Sequence, residues 1–492
     1  MTRRALYIIL CLSLCSLLSP TLCAQEFAVS ESEKVSSSLL NYRVLGKNNA
    51  GILVYKHTRE DETIEVYDRD MVLIRQRALE RRKGANVESV HVMLMGTEVH
   101  HYYSYRESRV EYLAVQRMND KLVYIGEPVL VDSFDRRDNE TWSKFYLRRT
   151  NDQTSVMVYR AERKIGDLIS INSILLNQIL KPIWTKRINV ALTDQDMILA
   201  DAFLSENGNV AFALVRDENR IRAANSPLLV TLIKAANGAD FIRTKIDPEE
   251  KYKIREVEFG WDALNNRITI VGFYSEDSRI LVKGILFAAI KPGQSEAAVV
   301  NFEKFKDGFV KSLTGKSGKH EEIPTYTIQD LVVRSDGGAV IAAEYVNESA
   351  EAYEYTDYDP YYGGYRTSTR YINYHEYEDV ILFMISAEGE VQWDDVIRKK
   401  QISREDYGKN SSYCLLKANS RLFFIFNEEI SYDTNVMQYM LDTNGQLDRN
   451  SIMNANAEEI MLIPRKAKQI SGNEIVIPSI YKNNLSFVKF SY

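Results

Sequence analysis

Cysteine is nearly absent from most of this chain. Of four cysteines in 492 residues, Cys11, Cys15 and Cys23 lie within the first 24 positions, and only Cys414 lies beyond them. One thiol closes no internal disulfide, so the fold must stand on packing. Histidine is scarce at six residues and proline at ten. Beyond the first 24 residues no apolar run approaches the roughly 20 residues that a membrane-spanning helix needs. Nor is there a surplus of positive charge: 68 acidic against 62 basic side chains give a net charge of −6. That balance argues against non-specific nucleic-acid binding, which needs a basic face. The chain does have 45% apolar and 26% charged residues. This is enough apolar mass for a large core, and it excludes a disordered chain, a collagen-like polymer and a disulfide miniprotein.

The first 24 residues read as an address. Arg3 and Arg4 form a positive segment, Ala5 to Leu18 an apolar one, and Ser19 to Ala24 a small-residue tail. This is the pattern of a secretory signal peptide, with cleavage after Ala24 or one residue earlier. Leu22 before Cys23 does not fit a lipoprotein site. The expected location is therefore the periplasm, the outer membrane or the exterior of the cell.

The remainder, 25–492, contains a repeat. A short strand, a Gly/Asn/Asp turn, two β-rich strands, a second turn and a fourth strand recur. The clearest copy runs from Ile328 to Ile397, with turns at Ser335-Asp336-Gly337-Gly338 and Ala387-Glu388-Gly389-Glu390. Glycine supplies the positive φ that such hairpins need. The second turn returns after 50 residues from Asp70 to Asp120, 55 from Gly238 to Gly293 and 56 from Gly389 to Gly445. Units are expected to begin near residues 42, 87, 141, 197, 252, 326 and 410, followed by a half unit from Lys468 to Tyr492. Four-stranded units of this length are blades of a β-propeller. A strand from Phe27 to Leu39 is expected to complete the half unit. That makes an all-β propeller of eight blades, with seven as the alternative. An outer-membrane barrel is the rival, but strands such as Leu422-Phe423-Phe424-Ile425-Phe426 are apolar on both faces, where a barrel lumen needs polar ones.

Two segments interrupt the repeat, at 301–325 and 350–377. In the first, Phe302, Phe305, Phe309 and Leu313 at near-helical spacing predict a short amphipathic helix. Gly315-Lys316-Ser317 beside it lacks the glycine spacing of a phosphate-binding loop. The second carries nine tyrosines around Asp359-Pro360 and is expected to form a long hairpin on the sixth blade. Tyrosine offers broad contact area with a polar tip. Tyr358, Tyr361, Tyr362, Tyr365, Tyr371 and Tyr374 are therefore the candidate partner-binding residues.

Motifs for catalysis do not emerge, and their absence leans against an enzyme. There is no Gly-x-Ser-x-Gly elbow and no His-Glu-x-x-His. His100 and His101 alternate along a strand and cannot chelate together. Asp442 to Asp448 lacks the closing Glu of a calcium loop and is expected to be a hairpin turn. No metal, cofactor or catalytic residue is assigned. A propeller can still gather carboxylates at its axis from separate blades, which keeps a glycan or peptide hydrolase or lyase open as the alternative.

Asp336-Gly337-Gly338, the tyrosine hairpin, Glu378-Asp379-Val380-Ile381, Gly389-Glu390-Val391-Gln392-Trp393 and Phe424-Ile425-Phe426-Asn427 together resemble a group of secreted Bacteroidota proteins without an assigned activity. Glu378 departs from their Asn and Val380 from their Ile. The resemblance implies an envelope or secreted location and supplies no catalytic residues. The expectation is an exported, non-catalytic scaffold that binds an envelope protein or glycan.

Overall fold

The computed structural model describes residues 26–492, apart from 36–38, 81–86, 137–143, 165, 218–227, 247–251, 277–280, 316–321, 360–363, 419 and 432–433. The leader expected at 1–24 lies outside the described residues.

Runs of β-branched and aromatic residues form strands, and each strand pairs with its neighbours in sequence. Eight antiparallel sheets of four strands result, two of them with a short flanking strand, plus a two-stranded ribbon. Their first strands are Leu39–Asn48, Val87–Met95, Tyr146–Arg149, Met197–Leu204, Lys253–Asp262, Thr327–Val333, Cys414–Ala418 and Lys468–Gln469. We number the sheets blades 1 to 8 in that order. The expected starting points hold to within a few residues.

The core divides into eight apolar clusters, each shared by two successive blades. They join blades 1 and 2, 2 and 3, 3 and 4, 4 and 5, 5 and 6, 6 and 7, 7 and 8. The last joins Val476, Leu485 and Phe487 of blade 8 to Tyr42, Val44 and Ile52 of blade 1. Eight sheets sharing eight interfaces form a closed ring, an eight-bladed β-propeller. Among the described residues no sheet closes on itself as a barrel would.

The ring explains the doubly apolar strands. In Arg267–Ser275, Ile268, Ile270 and Tyr274 face blade 4 while Val271 and Phe273 face blade 6. In Arg421–Asn427, Phe423 and Ile425 face blade 8, and Phe424 and Phe426 face blade 6. Alternate side chains point to opposite faces, so a strand wedged between two blades must be apolar on both. Each fully buried Phe contributes about 1.5–3 kcal/mol over its exposed state. The fourth strands lie outermost, and Leu73–Ala78 is exposed along its whole length.

Both termini build blade 8. Glu26–Val29 pairs with Val488 to Ser491, and Ser30 and Phe487 exchange hydrogen bonds of 3.0 and 2.9 Å. The strand expected from Phe27 to Leu39 is thus shorter: it stops at Val29, Glu33–Lys34 adds a second short pairing, and Leu39 already belongs to blade 1. The expected helix is also displaced. Phe302 lies in Val299–Lys304, the fourth strand of blade 5, and helix α1 runs from Asp307 to Thr314. Phe305 and Phe309 pack between blades 5 and 6. The interruption therefore starts after Lys304, because pairing with Gly284–Ile290 claims Phe302 first. Gly315 ends the helix at φ 67° and donates its N–H to the Lys311 carbonyl, an ordinary left-handed cap.

The tyrosine segment is a hairpin, as expected. Ala339–Asp359 and Gly364–Ile385 pair from blade 6 outward to Asp359 opposite Gly364. Gln401–Arg404 adds a third strand at its root, beside Tyr374 to Tyr377.

Candidate functional site

The first strands of most successive blades touch around the ring axis. Five of them carry a register shift: at Leu39/Asn41, Ser89/His91, Leu199/Asp201, Ile254/Glu256 and Ile328/Asp330. A bulge bends the strand and re-aims a side chain. Each of these five shifts is followed by a polar residue, Asn41, His91, Asp201, Glu256 or Asp330, whereas a second shift in blade 1, at Val44/Gly46, is followed by glycine.

These residues divide the axis by charge. On blades 4 to 6, Asp201, Glu256, Glu258 and Asp330 form an acidic arc. Burial raises Glu256 to about 7 and Asp330 to about 6, and burial with the charges of Asp201 and Glu256 raises Glu258 to about 8. Glu256 accepts the Ile328 N–H at 2.8 Å. Asp201 accepts its neighbour Ala202 N–H at 2.7 Å and faces Arg148 at 3.4 Å.

Blades 8, 1, 2 and 3 line an open cavity of about 690 Å³ of opposite character. Among the described residues its walls include Arg43, Arg149, Arg465, Lys466, Lys468 and His91, together with Asn41, Asn151 and Tyr42, and no Asp or Glu. Burial, then the charges of Arg43 and Arg149, hold His91 down to about 3. His91 is therefore neutral at physiological pH and accepts a hydrogen bond from Arg43 at 3.0 Å.

The candidate tyrosines are not gathered into one pocket. Tyr358 and Tyr365 are opposite in the ladder, and Tyr361 and Tyr362 lie outside the described residues. Tyr371 is exposed, whereas Tyr374 is half-buried at the root with the Arg404 guanidinium 5.0 Å above its ring. A buried polar network mounts this root on the ring. Lys399 Nζ lies 2.6 Å from Glu344, Ser412 donates to Glu344 at 2.5 Å, and Gln401 donates to the Asn427 carbonyl at 2.6 Å.

Other candidates resolve as structural. His100 and His101 are both buried, the first 3.5 Å from Glu98 and the second 3.6 Å from Glu62. Asp442 accepts the Asn444 and Gln446 N–H groups and shapes a turn. Cys414 is buried, and burial raises its thiol. Among the described residues no group of three or more His, Cys, Asp and Glu could hold a metal ion.

The axial residues could not be picked out by motif, since each comes from a different blade. A weaker signal is present: two successive polar residues straight after an isoleucine near the start of a first strand, as in Ile254-Arg255-Glu256 and Ile328-Gln329-Asp330.

The fold defines the class, an eight-bladed β-propeller with a hairpin arm. No protein-family model matches the chain, and no curated protein matches it. Solved structures show distant likenesses. A polysaccharide lyase is 10% identical at TM-score 0.41, with 81% of this chain and 89% of the other covered. A protein of unknown function from Bacteroides caccae is 11% identical at TM-score 0.28, covering 73% and 94%. Prolyl oligopeptidase B from Galerina marginata is 8% identical at TM-score 0.40, covering 93% of this chain and 56% of its own. The shared clusters that close the ring, not these likenesses, define the architecture.

Proposed function

We propose that this protein is an exported, non-catalytic propeller that holds a protein or glycan of the cell envelope, with the tyrosine hairpin as a contact arm. One observation carries the reading. Among the described residues, none between Asn347 and Glu376 belongs to any of the eight core clusters. The described side chains of the arm add nothing to the ring's apolar core, yet a buried ion pair and a third strand fix its root. A rigidly mounted arm outside the core is suited to contact with another molecule. Export is supported by the leader pattern at 1–24.

The test is removal of 352–377 with a short turn in its place, followed by capture of partners from the native envelope. The ring should remain folded and a specific partner should be lost. Retention of every partner by the shortened chain would end the hairpin reading.

A second reading, a hydrolase or lyase, is favoured by the raised carboxyls of Glu256, Glu258 and Asp330 on adjacent blades. Against it, Glu256 already holds a backbone N–H, and the walls of the 690 Å³ cavity carry no carboxylate. Acid–base hydrolysis of a glycoside needs two carboxyls facing the bound substrate.

A further inference from the structure

The cavity between blades 8, 1, 2 and 3 collects cations without counter-charges. Five of its wall residues are Lys or Arg and none is acidic, in a chain where acids outnumber bases 68 to 62. Several buried or half-buried cations elsewhere in the ring are paired, although Lys234 rests on the Ala235 and Gly238 carbonyls. Arg160 has Asp132 at 2.9 Å, Arg267 has Asp262 at 2.9 Å, and the fully buried Lys399 has Glu344 at 2.6 Å. Burying a charge without a partner is costly, so proteins pair such groups or use them.

The cavity cations have only neutral contacts. Arg43 bonds to neutral His91, and its Nε is buried with no partner. Arg149 donates to the Leu94 carbonyl. Lys466 meets the Asn41 side-chain oxygen at 3.1 Å and sits 3.9 Å over the Tyr42 ring. Lys468 is pushed down by burial and then by Arg149 and Arg43, so the cations repel one another. Arg465 turns away to the Tyr407 and Gly408 carbonyls, which leaves Arg43, Arg149, Lys466 and Lys468 as the centre.

We propose that this cavity is a binding site for a compact ligand bearing two or more oxyanion groups. Two guanidiniums suit planar carboxylate or phosphate oxygens, and the ammonium groups add point charge. Asn41, Asn151 and Tyr42 offer contacts for hydroxyls, and the volume suits a small molecule rather than a folded partner. The ligand supplies the counter-charge that the walls lack. The site goes beyond the hairpin reading and does not depend on it.

The test is calorimetric titration of the whole chain at low salt with digalacturonate, inorganic pyrophosphate and neutral maltotriose. At least one of the two oxyanion probes binds and maltotriose does not. Which of the two binds more tightly separates a carboxylated sugar from a phosphate as the source. Arg149→Met and Lys468→Met each weaken binding by about tenfold or more. Removal of 352–377 leaves it unchanged. Lys468→Met also raises the unfolding midpoint of the free protein, because it relieves repulsion, whereas loss of a structural lysine would lower it. Failure of both oxyanion probes, equal binding of maltotriose, affinity indifferent to both substitutions, or a lowered midpoint for Lys468→Met would overturn the assignment.

Discussion

Lys399→Met is expected to cost far more than an ordinary surface substitution. Lys399 Nζ lies 2.6 Å from Glu344, and the two side chains are 1% and 0% exposed. At that distance the attraction is about 6 kcal/mol for an effective dielectric of about 20. Desolvating each ion costs several kcal/mol, so the intact pair gains little over an apolar replacement. Removing one partner differs, because Glu344 then stays buried with Ser412 as its nearest donor. The expected loss of unfolding free energy is about 3–5 kcal/mol. The same change frees the Tyr377 carbonyl and Gln401, which Lys399 bonds at 3.2 and 2.9 Å, so the root of the hairpin loosens with it. Adding Glu344→Gln should restore most of the loss. The assay is urea unfolding of the wild type, both single variants and the double variant, analysed as a cycle. A loss below about 1 kcal/mol for Lys399→Met, or a double variant no better than Lys399→Met alone, would refute the view of this pair as a mutually dependent buried unit.

Two further outcomes are expected. Deleting residues 1–34 strips the pairing of Glu26–Val29 with Val488 to Ser491 and leaves blade 8 with an open edge; protease nicking of the C-terminal strand should then become fast, and unchanged resistance would count against closure by both termini. Glu258→Gln should flatten part of the pH dependence of stability. Its folded-state value of about 8 lies above its ordinary one, mainly through burial. The glutamate's contribution is therefore fully present below about pH 4.5 and lost as pH rises through about 8. The variant should match the wild type near pH 4.5 and exceed it at pH 9 by on the order of 5 kcal/mol, measured by denaturant unfolding at both values. Parallel curves would mean that Glu258 is solvated.

The legible part of this molecule was its periodicity. Turns such as Asp336-Gly337-Gly338 need φ values that glycine adopts freely, and Gly337 sits at φ 87°. Such turns recur at the same place within each blade, so their spacing reveals the units. Strands like Leu422 to Phe426 showed that both faces were buried, which pointed to wedges rather than a barrel. The short helix lies within the segment expected to hold it but starts later than the phenylalanine spacing suggests, because Phe302 satisfies both periods and only its pairing partner in blade 5 decides between them.

What the sequence alone determined was a set of four-stranded modules and an incomplete one at the C-terminus, because turn chemistry and alternation act between near neighbours. The split of the axis into an acidic arc and an unpaired cationic cavity was decided by tertiary structure. Arg43, His91, Arg149 and Lys468 stand in four different modules, and no local pattern brings them together. Closing the ring is what places their charges in one cavity, where burial and mutual repulsion give them a joint character that none has alone.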